Sequence, residues 1–177
     1  MNQPSKPIAI LVSIVLLFCS CSCPQKNNDT SDVLIKKQVN TLLDSLNLAA
    51  AHADFKTYFD FYTEDAIFTG TDATERWDKK QFMAFAKPYF DKGRAWNFTS
   101  IDRHIYFDET RNMSWFDELL NTQMKICRGS GVLIKVGNNW KVQQYILSTT
   151  IPNEQIDSIA KNKAAIEDPI ISRLSAK

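Results

Sequence analysis

Asp102-Arg103-His104 sets a carboxylate, a guanidinium and an imidazole side by side, the densest run of acid–base chemistry in the chain. In a β-strand successive side chains point to opposite faces, so Asp102 and His104 share one face and Arg103 takes the other. Turned to a cavity, the first two suit a general base and the group that orients it, the pairing that enolisation or dehydration needs. Turned outward, His104 is a satisfied polar residue on a half-buried sheet and Asp102 pairs with an arginine of a neighbouring strand. A second run, Trp115-Phe116-Asp117-Glu118, puts one ring and one acid on each face, so pattern does not choose between Asp117 and Glu118. A carboxylate enclosed by rings has a raised pKa and serves as acid or base; one paired with Arg128 is commonly a structural ion pair. In a third region, residues 70–77, Asp72 and Glu75 can receive a polar ligand group and Trp77 can form an apolar wall or lid. The alternative there is that Asp72 caps a turn and Trp77 plugs the core.

Other chemistries find no residues. Gly129-Ser130-Gly131 lacks the lysine and following helix of a phosphate loop, and in a strand such glycines serve curvature or close packing. There is no nucleophile elbow, and with His52 and His104 the only histidines no metal set is credible, so neither a metal nor another cofactor is expected. Lys and Arg number 21 against 20 Asp and Glu, a formal charge of +1, which gives no field to attract nucleic acid.

These residues need a scaffold, and 177 residues make one sizeable core rather than two. Residues 96–149 read as four consecutive strands in a meander, with turn residues at 109–112 and 137–139 but none at the middle joint. Before them, Ile35, Val39, Leu42, Leu43, Leu46, Ala50 and Ala53 recur at three and four over 32–53, an amphipathic helix with Thr30 or Ser31 as N-cap. Residues 54–62 continue as an aromatic-rich short helix or turn, 63–65 break the pattern, and 66–69 form a short strand. Phe82, Phe85, Ala86 and Tyr89 share a face of a helix over 78–90, with Asp78 as N-cap and Pro88 disrupting the last turn. After 151–153 a weaker helical pattern runs over 154–167, where Asp168-Pro169 ends it.

The first twenty residues stand apart. Lys6 precedes an apolar run, 8–18, too short to span a bilayer comfortably, and Cys19, Cys21 and Cys23 follow among small residues. The segment resembles a bacterial lipoprotein signal peptide, which implies cleavage before a cysteine that is then acylated. Cys21 fits best, because Ser20 before it is small and Phe18 before Cys19 is not; Cys23 is next. The alternative is a plain secretory signal or a short anchor helix with incidental cysteines. The expected organisation is signal peptide over 1–20, polar tether over 21–30, domain over 31–152 and helical tail over 153–177. The protein is then held to the cell envelope by an N-terminal lipid, facing the periplasm or exterior. Cys127, alone in an apolar strand, reads as a small buried hydrophobe.

The element order carries recognisable words: Phe61-Tyr62-Thr63-Glu64-Asp65-Ala66-Ile67-Phe68 entering the first strand, Gly70-Thr71-Asp72-Ala73-Thr74-Glu75-Arg76-Trp77 before the middle helix, Arg128-Gly129-Ser130-Gly131-Val132-Leu133, and Trp140-Lys141-Val142 running to Ser148. Together they resemble a SnoaL-like domain of the nuclear-transport-factor-2-like superfamily over about 32–152. The resemblance implies an α+β, cone-shaped fold, a strongly curved antiparallel sheet wrapped around N-terminal helices and open at one end. It also implies a homodimer formed through the sheet's outer face. Its relatives include isomerases, dehydratases, cyclases and proteins of no known activity, so fold does not choose function. The aromatic-rich elements (Phe55, Tyr58, Phe61, Phe82, Phe85, Trp96, Trp115, Trp140) favour a small, largely apolar ligand in the cone. Its contacts are expected from Asp72, Glu75, Trp77, Arg103, Trp115, Phe116 and Arg128. The rivals are a cofactor-independent isomerase, dehydratase or cyclase using Asp102 and His104, or Asp117 or Glu118, and an interaction module whose cone is filled by its own side chains.

Overall fold

The computed structural model describes residues 30–176. The stretch expected to be a signal peptide, with Cys21, lies outside them. The first helix, α1 (Thr30–Ala51), buries Ile35, Val39, Leu42, Leu43, Leu46 and Ala50, the stripe its spacing predicts. It closes with Asp54 N–H donating to Ala49 O (2.8 Å) and Ala53 N–H to Ala50 O (3.1 Å). Ala53 sits at φ 54°, a left-handed position where glycine is the usual occupant. Asp54 then caps α2 (Phe55–Asp60), its carboxylate accepting from Thr57 N–H at 3.0 Å, so the chain turns sharply from one helix into the next.

The following strand, β1 (Tyr62–Thr69), begins at Tyr62 rather than at 66. Thr63, Glu64 and Asp65 fall in an irregularity of its pairing between Tyr62 and Ile67, so the break in pattern is a bulge inside the strand. A three-residue strand not expected from sequence, β2 (Arg76–Asp78), folds back onto β1. Helix α3 (Lys79–Asp91) starts with Asp78 as predicted, in a reciprocal cap with Gln81. Pro88 does not end it. Proline removes one backbone donor, while Phe90 one half-turn later is buried with Phe82 and Ala86 and anchors the last turn. The buried ridge is therefore Phe82-Ala86-Phe90, and Phe85 and Tyr89 stand at its edge, 38% and 46% exposed.

The meander is present as β3 (Thr99–Phe107), β4 (Met113–Thr122), β5 (Lys125–Val136) and β6 (Asn139–Thr149). With β1 and β2 it makes one six-stranded sheet in the order β2-β1-β6-β5-β4-β3, antiparallel except where β1 lies parallel to β6. The middle joint turns without Gly, Pro or Asn. Thr122 Oγ1 accepts from Met124 N–H and donates to Lys125 O, both at 2.9 Å, and Lys125 takes the left-handed φ of 70°. The sheet curves around α1, α2 and α3, an α+β cone whose core is formed between them. Cys127 is fully buried, 3.5 Å from Thr122 Oγ1.

After a 3-10 turn at Asn153–Gln155, helix α4 (Ile156–Ser175) runs past Pro169, where the sequence pattern stops at 167. None of its residues is buried, so water can take up the carbonyl that Pro169 leaves unpaired. Among the described residues no helix is long and apolar enough to cross a membrane.

Candidate functional site

The parity of the meander follows from its apolar residues. Ile105, Phe116, Leu120 and Leu133 must enter the core, and alternation carries Arg103 and Glu118 inward with them. Asp102, His104 and Asp117 consequently lie on the outer face, with side chains 57%, 54% and 42% exposed. They do come together: His104 Nδ1 is 3.5 Å from Asp117 Oδ1, and Nε2 is 3.9 Å from Asp102 Oδ1. As solvated surface pairs these contribute under about 1 kcal/mol each. The same face carries Trp115, stacked on Tyr106 at 5.9 Å, and the exposed Arg128 opposite Leu119 and Ser148. None of these five candidate residues reaches the interior of the cone.

On the inner face a buried polar chain links side chains of β3, β4 and β6. Glu118 and Arg103 have side chains only 1% and 6% exposed. Arg103 Nε donates to Glu118 Oε2 at 2.8 Å; its Nη2 is equally close but off the line of a hydrogen bond, so it acts there as charge alone. Nη1 donates to Asn40 Oδ1 (3.1 Å) and Asp44 Oδ1 (2.8 Å), tying β3 to α1. From the other side Tyr145 O–H donates to Glu118 Oε1 at 3.1 Å. This bond passes over β5 at Gly129, where a Cβ would lie 2.6 Å from the Tyr145 hydroxyl and 3.0 Å from Glu118 Oε1. The glycine is there for close approach. Burial foremost, then the Glu118 charge, push the Tyr145 pKa well above its ordinary value.

Tyr145 also lines a cavity of about 160 Å³, together with Phe68, Trp77, Phe82, Trp96 and Leu147. Phe68, Trp77, Phe82 and Tyr145 stack nearly parallel to one another. Phe68 stacks on Phe82 at 3.9 Å and 13°, Phe68 and Tyr145 are 5.8 Å apart at 6°, and Trp77 and Phe82 are 6.0 Å apart at 5°. Tyr58 also lines the cavity; its hydroxyl meets that of Tyr62 at 3.0 Å, and burial raises the pKa of both. The polar groups lining it are Asn47, Thr71, Glu75 and Gln123. Glu75 folds across Gly70, where a Cβ would lie 2.1 Å from Oε2, and that oxygen accepts from Asp72 N–H at 3.2 Å. The cavity is thus mainly apolar and aromatic, with one carboxylate, Glu75, at its lining.

Of the loop residues expected to touch a ligand, Glu75 and Trp77 do line the cavity, and Asp72 caps the turn. Its Oδ1 accepts from Thr74 Oγ1 (2.6 Å) and N–H (2.8 Å), and these bonds, the side-chain one first, lower its pKa. Phe116 is buried behind the wall, 5.8 Å from the Tyr145 ring. Phe68, Tyr145, Asn47 and Gln123 were not legible as site residues. Tyr145 and Leu147 follow by alternation once the inner face is known, and Asn47 flanks the buried stripe of α1. A wider groove of about 590 Å³ lies outside the cone, lined by Leu34, Lys37, Phe61, Trp140 and Lys141 among others. Trp140 thus lines that groove and not the smaller cavity. Among the described residues no three His, Cys, Asp or Glu side chains gather as a metal would need.

The SnoaL-like domain family matches residues 39–152. No curated protein matches the chain. A solved nuclear-transport-factor-2-like protein of unknown function from Pseudomonas putida is 11% identical, with 70% of this chain and 92% of that one covered at a TM-score of 0.59. The association domain of CaMKII from C. elegans is 17% identical over 68% of this chain and all of its own, TM-score 0.58. A protein of Novosphingobium aromaticivorans provisionally named a scytalone dehydratase is 10% identical over 68% of this chain and 87% of its own, TM-score 0.56. At these identities the likeness is one of fold. Since the family match takes in all six strands and the two helices that follow α1, the chain belongs to the SnoaL-like domain family.

Proposed function

We propose that the cone binds a small flat molecule, a single aromatic ring bearing one hydrogen-bond donor. The observation that carries this reading is the cavity of about 160 Å³ walled mainly by the aromatic rings of Phe68, Trp77, Phe82, Trp96 and Tyr145. An apolar cavity of about 150 Å³ holds benzene, so the volume sets one ring. The donor is set by Glu75, one of whose oxygens is held by Asp72 N–H while the other accepts no hydrogen bond among the described residues. Catalysis is the weaker reading. The buried carboxylate Glu118 is committed to Arg103 and Tyr145, and the carboxylate–imidazole cluster of Asp102, His104 and Asp117 stands outside the cone.

The test is calorimetric titration with phenol and, in parallel, benzoate. Phenol is expected to bind and benzoate, whose carboxylate would meet Glu75, to bind at least about tenfold more weakly. Trp77→Ala should weaken phenol by a similar factor, and Trp115→Ala should leave it unchanged. Equal binding of the two probes, or a Trp77→Ala variant that binds as well as the parent, rejects the reading.

The same reading places the domain at the cell envelope on a lipid at Cys21 and pairs two copies through the outer sheet face, where Tyr106, Trp115 and Ile126 remain 42–46% exposed. Metabolic labelling with palmitate tests the first part: a Cys21→Ala variant that keeps its label overturns it.

A further inference from the structure

Helix α4 lies beyond the family match, which ends at 152, and packs against almost nothing. Its apolar residues nevertheless form one stripe. Ile156, Ile159, Ile166, Ile170 and Leu174 recur at intervals of three and four or their multiples, and Ile156, Ile166 and Leu174 are 50%, 70% and 54% exposed. Pro169 falls at the flank of this stripe, about 100° around the helix from its centre at 3.6 residues per turn. A stripe of this kind left in water costs free energy that a partner would recover. In the middle of it sit two charges, Lys163 and Glu167, joined at 2.8 Å.

The order of residues along the stripe says what that partner is. We propose that α4 pairs antiparallel with α4 of a second copy of this chain, about a twofold axis level with residue 165 on the side of Lys163 and Glu167. That axis brings Ile156 against Leu174 and Ile159 against Ile171, which is 58% exposed, each way round. It also sets Lys163 against Glu167 of the second copy and Glu167 against its Lys163, so four central charges alternate in sign. A parallel pair would instead set Lys163 against Lys163, and like charges facing each other in an interface are strongly unfavourable. The two-fold symmetry is that of an isologous interface, in which one surface is its own complement. A membrane surface fits less well. Asp157, Glu167 and Asp168 balance Lys161, Lys163 and Arg173 along the helix, so it carries no net positive charge toward anionic lipid.

The pairing is read out in the full chain by photo-cross-linking from Ile170→p-benzoylphenylalanine, which reports α4 whatever other faces associate. The expected product is a covalent dimer in which the tryptic peptide 164–173 of one copy is joined to peptide 142–161 of the other, since 170 faces 160. Lys163→Glu should cut the yield by about tenfold, and Lys163→Glu with Glu167→Lys should restore it. A dimer joined through 164–173 on both copies, a product mapping to the outer sheet face, no interchain product, or an undiminished yield in Lys163→Glu would each overturn the proposal.

Discussion

Removing Arg103 leaves Glu118 as a buried charge with one neutral donor, Tyr145, in place of a guanidinium. Breaking a buried ion pair in this way costs about 3–5 kcal/mol, and at a side chain 1% exposed solvent cannot supply the missing charge. Arg103→Leu should therefore lower Tm by about 6–20 °C, at about 2–4 °C per kcal/mol for a chain of this size. The double variant Arg103→Leu with Glu118→Met removes both charges and fills the space with apolar atoms. It leaves the Tyr145 hydroxyl without its acceptor, a loss of about 1–3 kcal/mol, so it should stand between the parent and the single variant. Urea unfolding of parent, both singles and the double, followed by tryptophan fluorescence, yields a coupling energy of at least about 2 kcal/mol. A single Arg103→Leu variant within about 1 kcal/mol of the parent, or strictly additive effects, would refute the reasoning that this chain of bonds holds β3, β4 and β6 to α1.

Three further perturbations follow from the same geometry. Gly129→Ala drives a methyl group into the Tyr145–Glu118 bond and should lose about 1–3 kcal/mol in the same unfolding assay. Ala53→Gly relieves a left-handed residue at the end of α1 and should gain about 0.5–1 kcal/mol, read as a rise in Tm. Tyr58, Tyr62 and Tyr145 have pKa values raised by burial, so the folded chain keeps three protons that the unfolded chain releases above about pH 10. Stability is then fully present below that pH and falls by up to about 4 kcal/mol per pH unit above it, and tyrosinate absorbance should rise together with unfolding for these three side chains.

The fold was largely legible because its signals are local. The α1 stripe, the Asp78 cap and the alternating runs of β3 to β6 each state themselves within a dozen residues. What failed was also physical. Pro88 reads as disrupting the last turn of α3 and Asp168-Pro169 as ending α4, yet one missing donor does not outweigh the buried Phe90, and in α4 water satisfies the exposed carbonyl. The Thr122 turn uses a side-chain hydroxyl and a left-handed lysine in place of the usual residues. For the site, Glu75 and Trp77 could be named from the loop, but which face of the sheet is interior depends on Ile105, Phe116 and Leu120 acting together across strands. Alternation alone therefore left Arg103 and Glu118 on equal terms with Asp102 and His104.

The four tryptophans allow the most direct test of where the ligand sits, since each has one indole N–H resonance in a nitrogen-15 spectrum. Trp77 and Trp96 line the cavity, Trp115 is on the outer sheet face, and Trp140 is buried beside the outer groove. On titration with phenol, the resonances of Trp77 and Trp96 should move and saturate together while those of Trp115 and Trp140 stay fixed. Movement of Trp115 or Trp140 with Trp77 unchanged would place the ligand outside the cone and contradict the account.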